Sequence, residues 1–102
     1  MINNDLLISE FDGQMRDIYY NAKKIANYNA TVFWRMVCEH DGYEAAKRLL
    51  AGDDNTQGFT TLAFIHGKPE LTMEYLIYYN KKFHVLFTQD EINTCKSRLG
   101  IK

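Results

Sequence analysis

Residues 58–77 read GFTTLAFIHGKPELTMEYLI, and their interpretation decides the fold. The stretch holds a histidine, two glutamates and the only proline, so it reads either as a working site or as two short helices joined by a turn. Spacing favours the helices. Phe59, Leu62, Ala63 and Phe64 suit a short helix ended by Gly67, and Pro69, which lacks an amide hydrogen, prevents its continuation. A second helix then begins. Thr72 caps it, Leu71 packs back as a staple, and Tyr75, Leu76 and Tyr79 supply one face. Glu70 and Glu74 lie across its start, where exposed N–H groups favour negative charge.

Helical spacing extends in both directions. Phe11, Met15, Ile18, Tyr19, Ala22 and Ile25 recur at intervals of three and four, predicting an amphipathic helix of about four turns that Asn27–Asn29 interrupt. Its outer face carries Arg16, Asp17, Asn21, Lys23 and Lys24. In NATVFWRMVCEHDG an asparagine caps the start, Val32, Phe33, Met36 and Val37 form the buried stripe, and Asp41 with Gly42 closes the helix. Ala45, Ala46, Leu49 and Leu50 carry a third helix, stopped by Gly52 in the left-handed conformation. DDNTQG, at 53–58, has no apolar side chain and reads as a loop too short to link domains. NKKFHVLF alternates and is expected as an extended connection burying aromatics. In TQDEINTCKSRLG, Thr88 with Glu91 three residues on is a capping box, Ile92, Cys95 and Leu99 form the stripe, and Gly100 closes. The expected fold class is all-α: a compact single domain over 1–102, a bundle of about six short helices.

Composition narrows the function. An apolar fraction of 46% and an aromatic fraction of 14% supply one dense core, which excludes a disordered chain. Twelve basic against thirteen acidic side chains leave a net charge of −1, so no overall field gathers phosphate and none imitates it. Cys38 and Cys95 have no Cys-x-x-Cys partner and read as buried thiols. Cys38 and His40, two apart, point to different faces of a helix and make a poor chelating pair, so no metal and no cofactor is expected. The N-terminal segment has no basic start or long apolar run, and no stretch is apolar enough to span a bilayer, which implies a cytoplasmic protein with no membrane partner.

His66 with Glu70 and Glu74 is the best acid–base candidate, but no serine or cysteine nucleophile lies in that segment, and helix-end polar residues account for the same letters. The expectation is therefore not an enzyme. Seven tyrosines cannot all be buried with satisfied hydroxyls, and the adjacent pairs Tyr19–Tyr20 and Tyr78–Tyr79 must each place one ring off the core stripe. The expected interaction residues are Tyr20, Tyr78, Tyr79, Lys81 and Lys82, with His66 and Lys68 from the 65–72 turn. A protein is the expected partner, with self-association through the aromatics as one form of it. The alternative is nucleic acid, for which Lys23, Lys24, Lys47, Arg48 and the aromatic–lysine run Tyr78–His84 are the candidate contacts.

Ala45, Ala46, Lys47, Leu49 and Leu50, followed by Gly58, Phe59, Thr60 and Leu62, then Gly67, Leu71, Thr72 and Glu74, and finally Leu86, Phe87, Thr88 and Glu91, form a pattern. It resembles a family of small helical proteins of bacteria and phage. The resemblance covers about two thirds of the chain and implies the fold class and a bacterial or phage setting, with a place in bacterial defence or phage counter-defence as the nucleic-acid alternative. Lys68, Pro69 and Glu70 depart from the Arg-Leu-Asp of that family, giving a stiffer turn. The matching positions are caps, turns and core.

Overall fold

The computed structural model describes residues 4–52 and 61–101. Among the described residues, four α-helices carry the architecture: α1 (Asp5–Ala26), α2 (Thr31–Ala51), α3 (Met73–Tyr79) and α4 (Gln89–Arg98). Between α2 and α3 lie a π-helical turn at Thr61–Ile65 and a 3-10 turn at Pro69–Leu71; a 3-10 segment, Lys81–Leu86, joins α3 to α4. No strand occurs among the described residues. The fold is an all-α bundle with a radius of gyration of 12.8 Å, close to the roughly 13 Å of a compact 100-residue domain.

α1 starts six residues before the first residue of the predicted stripe and ends as expected, at Asn27, whose φ of 51° turns the chain so that the Tyr28 N–H donates to the Ala22 carbonyl at 3.0 Å. α1 and α2 form the principal antiparallel pair. They approach closely at Gly42, where a Cβ would stand 2.7 Å from Asp12 Cα and 3.0 Å from Met15 Cβ, so only glycine lets the backbones meet there. The Gly42 N–H donates to Asp12 Oδ1 at 2.6 Å, and Arg16 donates to the other carboxylate oxygen at 3.0 Å.

The expected break at Asp41 is present as a kink inside α2. Asp41 has φ 66° and ψ 173°, and its Oδ1 accepts from the Glu44 N–H at 3.0 Å, capping the second half of the helix. Three expectations here are corrected. Ala30, not an asparagine, precedes the first turn, because Asn29 Oδ1 instead accepts from the Tyr19 hydroxyl at 3.1 Å. Gly52 is extended, with φ −102°, because the chain leaves α2 without a left-handed residue. Val32 and Ile25 are 59% and 56% exposed: both lie near the α1–α2 connection, beyond the reach of the core.

Thr72 caps α3 as expected, accepting from the Tyr75 N–H at 3.2 Å. Gly67 takes φ 64°, a conformation in which a side chain is strained, and this reverses the chain before Pro69. Residues 81–86 form a 3-10 segment rather than the expected extended run. Burial of Phe83 and Leu86 follows from its three-residue period, which puts i and i+3 on one side. At α4 the capping box is complete: Thr88 Oγ1 accepts from the Glu91 N–H at 3.2 Å, and Glu91 Oε1 accepts from the Thr88 N–H at 2.8 Å. Gly100 has φ 75°. The predicted loop at 53–58, and Phe59, fall outside the described residues.

The core centres on Phe11, which meets Phe83 edge-on at 5.1 Å and Phe87 at 5.4 Å. Met15, Val37, Ala45, Ala46, Ile77 and Cys95 fill the space around it. Edge-to-face rings at these separations contribute about 0.5–1.5 kcal/mol per pair beyond their burial. Tyr43 ties α2 to the segment before α4, donating to the Leu86 carbonyl at 2.8 Å. A smaller cluster of Ala22, Leu62 and Leu71 seats the π turn on the end of α1.

Candidate interaction surface

Of the two adjacent tyrosine pairs, each places one ring outward: Tyr20 is 55% and Tyr79 54% exposed. They sit in separate aromatic groups. On α1 and α2, Tyr19 stacks on Trp34 at 4.5 Å with 23° between planes, Tyr20 meets both edge-on, and the Arg16 guanidinium lies 5.8 Å from the Trp34 ring. On α3, Tyr75 lies 4.5 Å from Tyr79, and Tyr78 meets Tyr79 edge-on at 5.1 Å. Tyr78 is half-buried and packs against the core, and its carbonyl is 3.1 Å from His84 Nε2, so it positions its neighbour more than it presents itself.

The basic candidates divide by their partners. Lys82 is paired with Glu10 on α1. Lys47 donates to Glu91 at 2.6 Å and lies over the Tyr43 and Phe87 rings; Arg48 pairs with Glu44. Lys23, Lys24, Arg35 and Lys81 form no ion pair among the described residues. Cations with aromatic company therefore lie on α1, where Lys23 and Lys24 follow Tyr19 and Tyr20 by one turn, as well as at Lys82, whose ammonium is 5.2 Å from the Phe83 ring.

His66 and the two glutamates do not converge. His66 is exposed, its ring 6.1 Å from that of Tyr28, and Lys68 beside it is half-buried. Glu74, expected at a solvated helix start, is instead 4% exposed. It accepts from Arg98 Nη1 at 2.9 Å, and Arg98 Nη2 donates to the carbonyls of Leu49 and Gly52, both at 3.3 Å. This clasp joins α3, α4 and the end of α2. Burial raises the Glu74 carboxyl above its ordinary range, and the guanidinium pulls it back only in part.

At Glu91 burial also acts upward, but Lys47 and the Thr88 N–H outweigh it and the carboxyl falls below its usual range. Cys95 is buried, its thiol pushed up to about 12, whereas Cys38 is exposed, correcting the expectation of two core thiols. Cys38 follows Trp34 by one turn on the outer side of α2. No group of three or more His, Cys, Asp or Glu is placed to hold a metal among the described residues.

A groove of about 460 Å³ runs between α1 and the segment from the 3-10 turn through α3. Ile18, Leu71 and Leu76 give it apolar surface; Asp17, Glu70, Tyr75, Gln14, Asn21 and Asn80 give it polar groups. Sequence reasoning missed the groove and the Tyr19–Trp34 stack alike, because each needs two segments that only the fold brings together.

What the fold and surface define is a small all-helical protein with aromatic groups at its surface. No protein-family model, no curated protein and no solved structure matches the chain. None of its helices, among the described residues, is long and apolar enough to cross a membrane.

Proposed function

We propose that this chain is a non-enzymatic binding module whose partner is a protein, engaged through the α3 face that carries Tyr79. The observation that carries the reading is the exposure of Tyr79 on top of two further tyrosines: a ring braced by Tyr75 and Tyr78 presents large area at little cost in conformational entropy. Tyr20, held by Tyr19 and Trp34, is a second such ring. The 65–72 turn, with His66 and Lys68, belongs to the same proposal, as do a cytoplasmic location and the bacterial or phage setting implied by the sequence resemblance. Affinity capture from a bacterial lysate, repeated with Tyr79→Ala and Tyr20→Ala proteins of unchanged circular dichroism, tests it. A partner lost with Tyr79→Ala supports the assignment; a partner set unaltered by both substitutions overturns it. Light scattering distinguishes a second copy of the chain from a different protein.

The alternative is an accessory that touches nucleic acid. Its support is the row of Arg16, Tyr19, Tyr20, Lys23 and Lys24 along α1 beside Trp34, where rings and cations interleave as in single-strand binders. Oligonucleotide binding that falls steeply with salt favours this alternative, and no binding at low salt removes it.

A further inference from the structure

We infer that the groove between α1 and α3 takes an arginine side chain of the protein partner, its guanidinium held between Asp17 and Glu70 and against Tyr75. The inference rests on the protein-binding reading and names the chemistry of that partner. Four observations carry it.

The cavity is of ligand size, about 460 Å³, and has apolar surface from Ile18, Leu71 and Leu76 for an aliphatic stem. Its charged groups are both acids. Asp17 and Glu70 make no ion pair among the described residues, and no lysine, arginine or histidine lines the groove with them. Asn80 donates one N–H of its side-chain amide to the Leu76 carbonyl at 2.7 Å, and its Oδ1 is left to accept. The Thr72 hydroxyl is spent, donating to the Pro69 carbonyl at 2.7 Å and accepting from the Tyr75 N–H. Tyr75 completes the set as an aromatic wall braced by Tyr79 at 4.5 Å. A negatively charged groove with an aromatic wall complements a planar cation with five donors, which bonds carboxylates in its plane and stacks on rings with its face. An ammonium offers no such plane. The groove also adjoins the exposed ring of Tyr79 through Tyr75, so one partner segment can engage both.

The test uses the ¹⁵N-labelled full chain and three peptides, Ac-Gly-Gly-X-Gly-Gly-NH₂ with X arginine, lysine or citrulline, the last keeping the shape of arginine without its charge. The arginine peptide should shift amides in 14–21 and 70–80, and the citrulline peptide should not. Asp17→Asn and Glu70→Gln, both at exposed positions, should each weaken binding about fivefold, the upper end for a solvated ion pair. Equal binding of citrulline, equal binding of lysine, or shifts elsewhere on the surface would overturn the inference. The same variants in the lysate capture separate it from the broader reading. A partner retained by Asp17→Asn/Glu70→Gln but lost by Tyr79→Ala refutes the arginine site and leaves protein binding standing; a partner retained by all refutes both.

Discussion

Replacing Arg98 with alanine exposes what the clasp between the last helix and the rest of the molecule contributes. The guanidinium is the partner of a carboxylate whose side chain is 5% exposed, and it also serves two carbonyls at the end of α2. Its removal leaves Glu74 buried and unpaired, which costs about 3–5 kcal/mol. With an unfolding entropy of about 2.1 cal/mol/K per residue, a domain this size loses roughly 5 °C of Tm per kcal/mol, so thermal unfolding followed by circular dichroism should shift down by roughly 15–25 °C.

The deficit depends on pH in a defined direction. Burial raises the Glu74 carboxyl and Arg98 opposes that rise, so without Arg98 the folded state holds its proton to still higher pH than the unfolded chain does. Stability then falls as pH rises above about 4.3, and Arg98→Ala should lie further below the parent at pH 8 than at pH 5. The double variant Glu74→Leu/Arg98→Met removes both charges and should recover most of the loss. A single-variant loss under about 1 kcal/mol, or a double variant no better than the single, would refute the view that an uncompensated charge sets the cost.

Gly42→Ala forces a Cβ into the Asp12 backbone and should lower stability by about 1–3 kcal/mol in urea unfolding, whereas Gly13→Ala, with nothing within 4 Å, should not lower it. A thiol reagent should label one cysteine in the native protein, Cys38, and the second only after denaturation, since burial keeps the Cys95 thiol protonated. Thr88→Ala removes the cap of α4 and should cost about 1 kcal/mol of stability by the same unfolding assay.

The punctuation of the chain was legible from residue types alone. Thr72, Thr88 with Glu91, Asn27, Gly67 and Gly100 act where their local chemistry places them, because a cap or a left-handed residue works within a few positions of itself. Long-range pairing was not legible. Glu74 imitates a dipole-compensating acid at a helix start, and only the presence of Arg98, 24 residues later, explains its burial. That one ring of each adjacent tyrosine pair points outward followed from adjacency, since neighbouring residues on a helix point about 100° apart, but Tyr79 was expected on the face of Leu76 and is instead 54% exposed. The Trp34 stack was not legible because its partner Tyr19 lies on another helix, and the groove needs residues 14–21 and 70–80 side by side.

The position of Arg98 in the chain has a consequence for biosynthesis. Until a ribosome has delivered that residue, the acid on α3 has no counter-charge and the carbonyls of Leu49 and Gly52 lack its donors. Until α4 has emerged, the nascent polypeptide therefore holds α2 and α3 without the clasp that locks them together, and cooperative closure waits for that helix.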